Sequence, residues 1–200
     1  MIETVVRPTT STQPRRRLIR VAASALLVTA ALAVSGLFAS VSADPDVAAV
    51  KRVATGAIQT QQAISLPPAS YAGGPMSQGT ASEMVRQGEG QMAQFFGGPE
   101  LVRRDQALQA NVSEQSSGAI RYLGAGVSRI DITSVTRDGD LATVAATVDL
   151  WADLGQVQVN GQLAVAHPKN TMLLRLALQK INGSWLVVDE TMNYAPGSEP

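Results

Sequence analysis

Asp149, Trp151 and Asp153 are the residues of this sequence best suited to line a cleft or to meet a partner. They surround the end of an apolar stretch, where two carboxylates and an indole can reach a bound molecule. Acid–base catalysis would also require a carboxyl group held in a dry pocket. A solvated rim is the alternative interpretation of the two acids. We therefore treat the three residues as a candidate ligand or partner surface.

Other residues that commonly carry chemistry are scarce. The only histidine, His167, precedes Pro168 at a predicted strand end, which favours an exposed turn residue over a functional group. Without cysteine, disulfides and thiolate metal sites are excluded, and one histidine is too few for an ordinary zinc site. No serine stands in a Gly-x-Ser-x-Gly elbow. The sequence predicts no catalytic residue, no metal and no cofactor.

Two further features have competing interpretations. Gly124-Ala125-Gly126 lacks the third glycine of a phosphate loop and is followed by a predicted strand, so it favours a bend that enters a sheet. Trp185 comes directly after a predicted hairpin turn. This position favours a core anchor over a platform for a ligand.

The charges balance over the whole chain but are unevenly distributed. Residues 1–20 carry five arginines and one acid, whereas the remaining chain carries eleven basic and fifteen acidic residues. Contacts with nucleic acid phosphates require clustered Lys and Arg. The acidic body argues against such contacts, and no nucleic acid partner is expected.

Residues 21–43 contain no charged side chain and follow a run of arginines. A helix over residues 21–39 would be about 28 Å long, close to the ~30 Å hydrocarbon core of a bilayer. The positive-inside rule then places residues 1–20 in the cytoplasm as a basic leader. The sequence predicts a single-pass protein of the cell membrane with its C-terminal domain outside.

A cleaved leader is the alternative to a retained anchor. Val41-Ser42-Ala43 has the small-x-small pattern of signal peptidase sites. The run from Arg15 to Arg20 also resembles a twin-arginine export signal, with Pro14 in place of the usual Ser or Thr. Cleavage near Ala43 would release a secreted domain.

Residues 44–76 are predicted to form a juxtamembrane helix followed by a linker. Pro45 is suited to the first turn of a helix, and apolar residues follow it at helical spacing. The segment Leu66–Pro75 is rich in Pro and Gly, which indicates an extended linker. A folded domain is expected over residues 77–194, with a short tail at 195–200.

Two helices and then five strands are predicted within this domain. The first helix carries Met84 and Met92 and ends at Gly97-Gly98, and Pro99 opens the second. Alternating apolar residues then indicate strands. The predicted strands are Val127–Val135, Leu141–Trp151, Val157–Ala166, Thr171–Ile181 and Trp185–Met192. Helices followed by antiparallel strands indicate an α+β fold.

Turn dipeptides separate these strands. Asp138-Gly139 and Asn182-Gly183 are typical of tight hairpins, and Asn160-Gly161 predicts either a third turn or a bulge. In the fourth strand, Leu174 and Leu176 belong to one apolar face. We include these two leucines in the candidate ligand or partner surface.

The last strand begins with Asn182-Gly183-Ser184-Trp185-Leu186-Val187-Val188-Asp189, after helices and an antiparallel meander. This order resembles the NTF2-like superfamily, and more narrowly its membrane-anchored actinobacterial members of the Mce-associated and VirB8/TcpC types. The resemblance covers residues 77–194 and implies a cone in which a strongly bent sheet wraps around helices. Catalytic members use an Asp–His or Tyr–Asp pair inside the cone, and no position of this sequence matches one.

Two functions follow as hypotheses. The first is a membrane-anchored, non-enzymatic accessory or scaffold protein that contacts other envelope proteins or itself, which predicts an exposed apolar patch on the sheet. The alternative is a domain that binds an apolar small molecule inside the cone, on the leucine-rich face. An open apolar cavity of several hundred Å³ would favour the alternative. A cone filled by side chains would exclude it.

Overall fold

The computed structural model describes residues 44–68, 71, 76–118 and 120–199. Three helices precede five strands, in the order α1 (Pro45–Ala63), α2 (Gln78–Met92), α3 (Gly98–Ser116), β1 (Ile120–Asp138), β2 (Leu141–Val157), β3 (Leu163–Ala166), β4 (Lys169–Ile181) and β5 (Ser184–Tyr194). The strands form one antiparallel sheet in the order β1-β2-β4-β5, with β3 also paired to β2. The helices pack against this sheet, so the predicted α+β class is confirmed.

The predicted membrane span at residues 21–43 and the basic leader at residues 1–20 lie outside the described residues. Among the residues that the structure describes, no helix is long and apolar enough to cross a bilayer. The retained anchor and its alternative, cleavage near Ala43, both stay predictions.

β2 is the central strand of the sheet. It pairs with β1 on one side and, in a single unbroken register, with β4 and then β3 on the other. β3 and β4 are therefore consecutive parts of one partner strand, interrupted at His167-Pro168. Even-numbered residues from Ala142 to Val148 are buried against the helices. Odd-numbered side chains of β2 face outwards, because side chains alternate along a strand.

α1 belongs to the same hydrophobic core as the sheet. Its buried face consists of Val50, Ala54, Ala57 and Ile58. These residues join buried residues of β2, β4 and β5 in one cluster. The structure thus differs from the expected division of the chain, in which residues 44–76 precede the folded domain. The helical spacing that predicts α1 belongs to a face covered by the sheet.

The strands extend beyond their predicted bounds at several ends. Gly124-Ala125-Gly126, expected to form a bend, lies inside β1. The predicted strand Val157–Ala166 is divided by a turn at residues 158–162, in which Gly161 has a φ of 81°. The Gln158 amide donates to the Gln162 carbonyl at 2.8 Å across this turn. Of the two interpretations of Asn160-Gly161, the turn is confirmed.

The packing of α1 against the segment after α2 can be tested at Gly56. A methyl group at Gly56 would overlap the ring of Phe95, whose carbonyl is held by the Val187 amide at 2.8 Å. Gly56→Ala is expected to lower the free energy of unfolding by about 1–3 kcal/mol. Gly90→Ala is the control, because Gly90 lies in α2 and a methyl group there would meet no other atom within 4 Å.

The control should raise the free energy of unfolding by up to about 1 kcal/mol, since only helix propensity changes. Denaturant unfolding of both variants checks the prediction. Equal stability of the two variants would show that α1 does not pack tightly on Phe95.

Candidate functional site

Trp151 lies on the outer face of β2, directly over two glycines of β1. A Cβ at Gly124 would come 3.0 Å from Trp151 Cζ3, and one at Gly126 would come 2.9 Å from Trp151 Nε1. The indole therefore covers the part of β1 where side chains are missing. This contact explains why the glycines form strand and not a bend. Trp151 is only half-buried and remains accessible to a partner.

The two predicted acids lie on the same outer face, and both have partners. Asp149 Oδ2 is 2.9 Å from Arg129 Nε, and its Oδ1 accepts a hydrogen bond from the Thr171 hydroxyl at 2.8 Å. Asp153 Oδ1 is 2.7 Å from His167 Nδ1. His167 is exposed, as its interpretation as a turn residue predicts. This Asp–His pair therefore lies on the face of the sheet that points away from the helices.

Leu174 and Leu176 do not join this surface. They lie on the opposite face of the sheet, packed in the core with 5% and 0% of their surface exposed. The structure therefore separates them from Asp149, Trp151 and Asp153, because side chains alternate between the two faces along β4. Its even-numbered side chains point to the helices, as do the even-numbered side chains of β2 with which they pair.

The space between the helices and the sheet is largely filled. A pocket of about 250 Å³ remains, lined in part by Arg104, Asn111 and Tyr122. Larger hollows of about 660 and 590 Å³ are lined mainly by helix residues and the segment between α1 and α2. Neither Leu174 nor Leu176 lines any of these three spaces. The geometry argues against an apolar ligand held on the leucine-rich face.

A charge cluster that is not predicted from the sequence connects α3 to β5. Glu100, which is almost completely buried, accepts a hydrogen bond from Arg104 Nε at 2.6 Å and another from Arg103. Arg103 Nη2 also donates to Asp189 Oδ1 at 2.6 Å. Arg104 Nη2 lies 3.1 Å from Glu190 Oε1. The cluster places Arg104 at the edge of the 250 Å³ pocket with its charge already compensated.

Glu190 is the least satisfied member of this cluster. Its side chain is 1% exposed, and Oε1 accepts no well-aligned hydrogen bond. Burial raises the pKa of Glu190 above its ordinary value of 4.5; Arg104 opposes this shift and Glu100 adds to it. The only signal in the sequence is the alternation of Asp189 and Glu190, which places one of two neighbouring acids on the inner face.

An exposed apolar surface occupies the end of β2 beyond Trp151. It consists of Leu123, Val157, Leu163 and Val165, each 38–45% exposed, and we call it the distal patch. Leu163 and Leu123 converge over Gly155, where a Cβ would lie 3.0 and 3.3 Å from their Cδ1 atoms. The scaffold hypothesis predicts an apolar patch on the sheet, but the sequence pattern does not identify these residues.

The first residues of α1 contact the other end of the sheet, beside the start of β2. Asp44 Oδ2 is 2.9 Å from Arg137 Nη2. Asp46 Oδ1 is 2.9 Å from Lys180 Nζ and 3.2 Å from Trp185 Nε1. Hydrogen bonds from Lys180 and Trp185 hold the pKa of Asp46 below its ordinary value of 3.8. Trp185 is buried, as its interpretation as a core anchor predicts.

Because the Glu190 carboxyl is buried, its ionisation should lower the free energy of unfolding as the pH rises. Glu190→Gln should abolish this pH dependence. Well below pH 4.5 the carboxyl is protonated in both the folded and unfolded states, and the variant should match the wild type. Between pH 4.5 and the raised pKa of the folded state, the wild type should lose stability relative to the variant. One proton gives a slope of at most about 1.4 kcal/mol per pH unit. Urea unfolding from about pH 4 to 8 measures it, and parallel curves would contradict the prediction.

Known proteins resemble this chain in structure and not in sequence. No protein-family model and no curated protein matches the sequence. Similar solved structures include the intermembrane space region of chloroplast protein ARC6, with 15% identity, a TM-score of 0.41, and coverage of 76% of this chain and 98% of that one. CagV, a VirB8 homologue of the T4SS from Helicobacter pylori strain 26695, has 11% identity and a TM-score of 0.37. The match covers 72% of this chain and 98% of that one.

An NTF2-like protein involved in plasmid conjugation has 10% identity and a TM-score of 0.31, covering 74% of this chain and 51% of that one. The similar structures thus include NTF2-like proteins and a VirB8 homologue. Identities and TM-scores this low carry no information on function.

Proposed function

We propose that this chain is a non-enzymatic accessory or scaffold protein of the bacterial envelope, tethered by residues 21–43 and acting through protein contacts. The distal patch is the observation that carries the proposal. It places four aliphatic side chains side by side at the end of a sheet. Contiguous exposed apolar surface of this kind is typical of protein interfaces, whereas single exposed apolar residues are common everywhere.

The position of the distal patch supports the proposal. α1 begins beside the hairpin that joins β1 to β2, through the contact of Asp44 with Arg137. The distal patch lies at the opposite end of β2, which is 17 residues long. Such a strand has a path of about 55 Å at ~3.3 Å per residue. An anchor that precedes residue 44 would therefore join the domain at one end and leave the other end free for partners.

The outer-face polar groups support a non-enzymatic role. Asp149 is paired with Arg129 and Thr171 in a hollow of about 460 Å³ on this face, and the Asp153–His167 contact is exposed to water. General acid–base catalysis depends on groups held in a water-excluded site close to substrate.

Retention of residues 21–43 as a membrane anchor can be tested by measuring the intact mass of the protein. Intact-mass analysis of the native protein from detergent-extracted membranes should give the full-length chain, because the uncharged stretch is long enough to span a bilayer. A soluble form whose mass begins at Asp44 would show cleavage instead. That result would contradict the tether while leaving the contacts of the folded domain to be tested separately.

The contact surface can be tested by photo-crosslinking in intact cells. A photoreactive amino acid in place of Val165, in the full chain, should give discrete adducts with an envelope protein or with a second copy, identified by mass spectrometry. Leu141 is the matched control: it is more exposed than Val165, at 57% against 45%, but lies at the other end of β2. Equal adducts at both positions, or none at Val165, would contradict the proposal.

A further inference from the structure

The edges of the sheet are protected unequally. The β1 edge is interrupted by register shifts at three places and carries charged residues such as Arg129 and Asp131. The β5 edge is covered by the segment between α2 and α3: Gly97 N donates to the Val187 carbonyl at 2.9 Å, and Val187 N donates to the Phe95 carbonyl at 2.8 Å. Bulges, charges and covering segments are the usual means of preventing edge-to-edge pairing.

Among the described residues, β3 carries no bulge, no charge and no covering segment, and its only protection is its length of four residues. Its four residues, Leu163–Ala166, are all exposed and include no charged residue and no proline. β5 pairs with β4 only as far as Met172. Within the described part of the chain, β3 therefore pairs with β2 alone and leaves its other side open. An open apolar edge of this kind is a template for another strand.

The direction of the free backbone groups follows from the ladder. Gln158 N donates to the Gln162 carbonyl at 2.8 Å, and Ala152 N donates to the Pro168 carbonyl at 3.0 Å. Hydrogen-bonded pairs alternate along an antiparallel ladder, and the register is unbroken between these two contacts. Even-numbered residues of β3 thus bond to β2. Leu163 and Val165 direct their N–H and C=O groups to the open edge.

We propose that the open edge of β3 pairs antiparallel with β3 of a second copy of this chain, about a two-fold axis at Ala164. This proposal rests on the proposed function and identifies its partner. Leu163 of each copy lies opposite Val165 of the other, and each such pair exchanges two N–H···O bonds. The same axis joins the two distal patches into one apolar surface on the outer face.

A second copy fits this edge better than a charged strand does. Residues 161–166 carry no charge, so no like charges meet across the axis and no ionic partner is offered to a charged segment. The two residues with free backbone groups satisfy each other under two-fold symmetry. Their side chains, one leucine and one valine, also come together as cross-strand neighbours. The interface is thus isologous, the usual form in homodimers.

The absence of native cysteine permits a sharp test with the full chain in detergent micelles. Opposed residues that do not exchange hydrogen bonds have Cα atoms about 4.5 Å apart, which lies within the ~4.4–6.8 Å that a disulfide spans. Ala164→Cys should therefore form disulfide-linked dimers. Val159→Cys, at the exposed tip of the preceding turn, is the control for random collision.

Ala164→Cys should cross-link at least about tenfold faster than Val159→Cys, because pairing makes the reaction effectively intramolecular. Equal rates would overturn the proposal. Val165→Pro supplies a second test, since proline is tolerated where the N–H faces an open edge. Combined with Ala164→Cys, it should reduce the rate to that of the control while the circular dichroism spectrum is retained. A rate unchanged by the proline would also overturn the proposal.

These results distinguish the two proposals. If Ala164→Cys cross-links no faster than the control but Val165 still gives photo-adducts with another envelope protein, the edge does not bind a second copy and the contact function stands. If neither reaction occurs, both proposals fail.

Discussion

The register of β2 is the constraint on which the rest of this structure depends. One unbroken ladder with β3 and β4 fixes which side chains of the sheet meet the helices. A shift by one residue would exchange the two faces, moving Val144 and Val148 to the surface and Asp149 into the core. Burial of an unpaired carboxylate costs several kcal/mol or more. The alternation of apolar and polar residues therefore allows one register.

Much of the fold could be predicted because this alternation is present in the sequence. The period of two in Val144, Ala146 and Val148 identifies β2, and the dipeptides Asp138-Gly139 and Asn182-Gly183 locate two turns. The bounds of β1 could not be predicted, since two glycines indicate a break until Trp151 is known to cover them. Nor could the placement of α1, because helical spacing does not reveal what covers a helical face.

The candidate surface, too, could be predicted from the sequence only in part. Asp149, Trp151 and Asp153 lie on one face of β2, but a period of two in the sequence does not say whether a face is open or covered. Local pattern therefore assigns Leu174 and Leu176 to a surface, although helices cover them. The distal patch depends on a short strand meeting the end of a long one. That arrangement is set by contacts between distant parts of the chain, not by local pattern.

Polar contacts and apolar contacts have different roles along the sheet. The cluster of Glu100, Arg103, Arg104, Asp189 and Glu190 joins α3 to β5. Removing one partner of a buried ion pair typically costs about 3–5 kcal/mol, even where the pair itself adds little stability. Such clusters fix which helix lies beside which strand. The distal patch at the far end of β2 instead presents aliphatic side chains to water. 

The contacts of α1 with the hairpin end of the sheet also have a mechanical consequence. A protein held at residue 44 and pulled at β3 would load α1 and its ion pairs with Arg137 and Lys180 first, and then the ladders of β2, parallel to the strand. Rupture would then require many hydrogen bonds to shear together, whereas force applied across a sheet edge opens them one at a time. Because forced unfolding is governed by the unfolding rate, resistance to a pull in this direction depends on how fast those bonds break together.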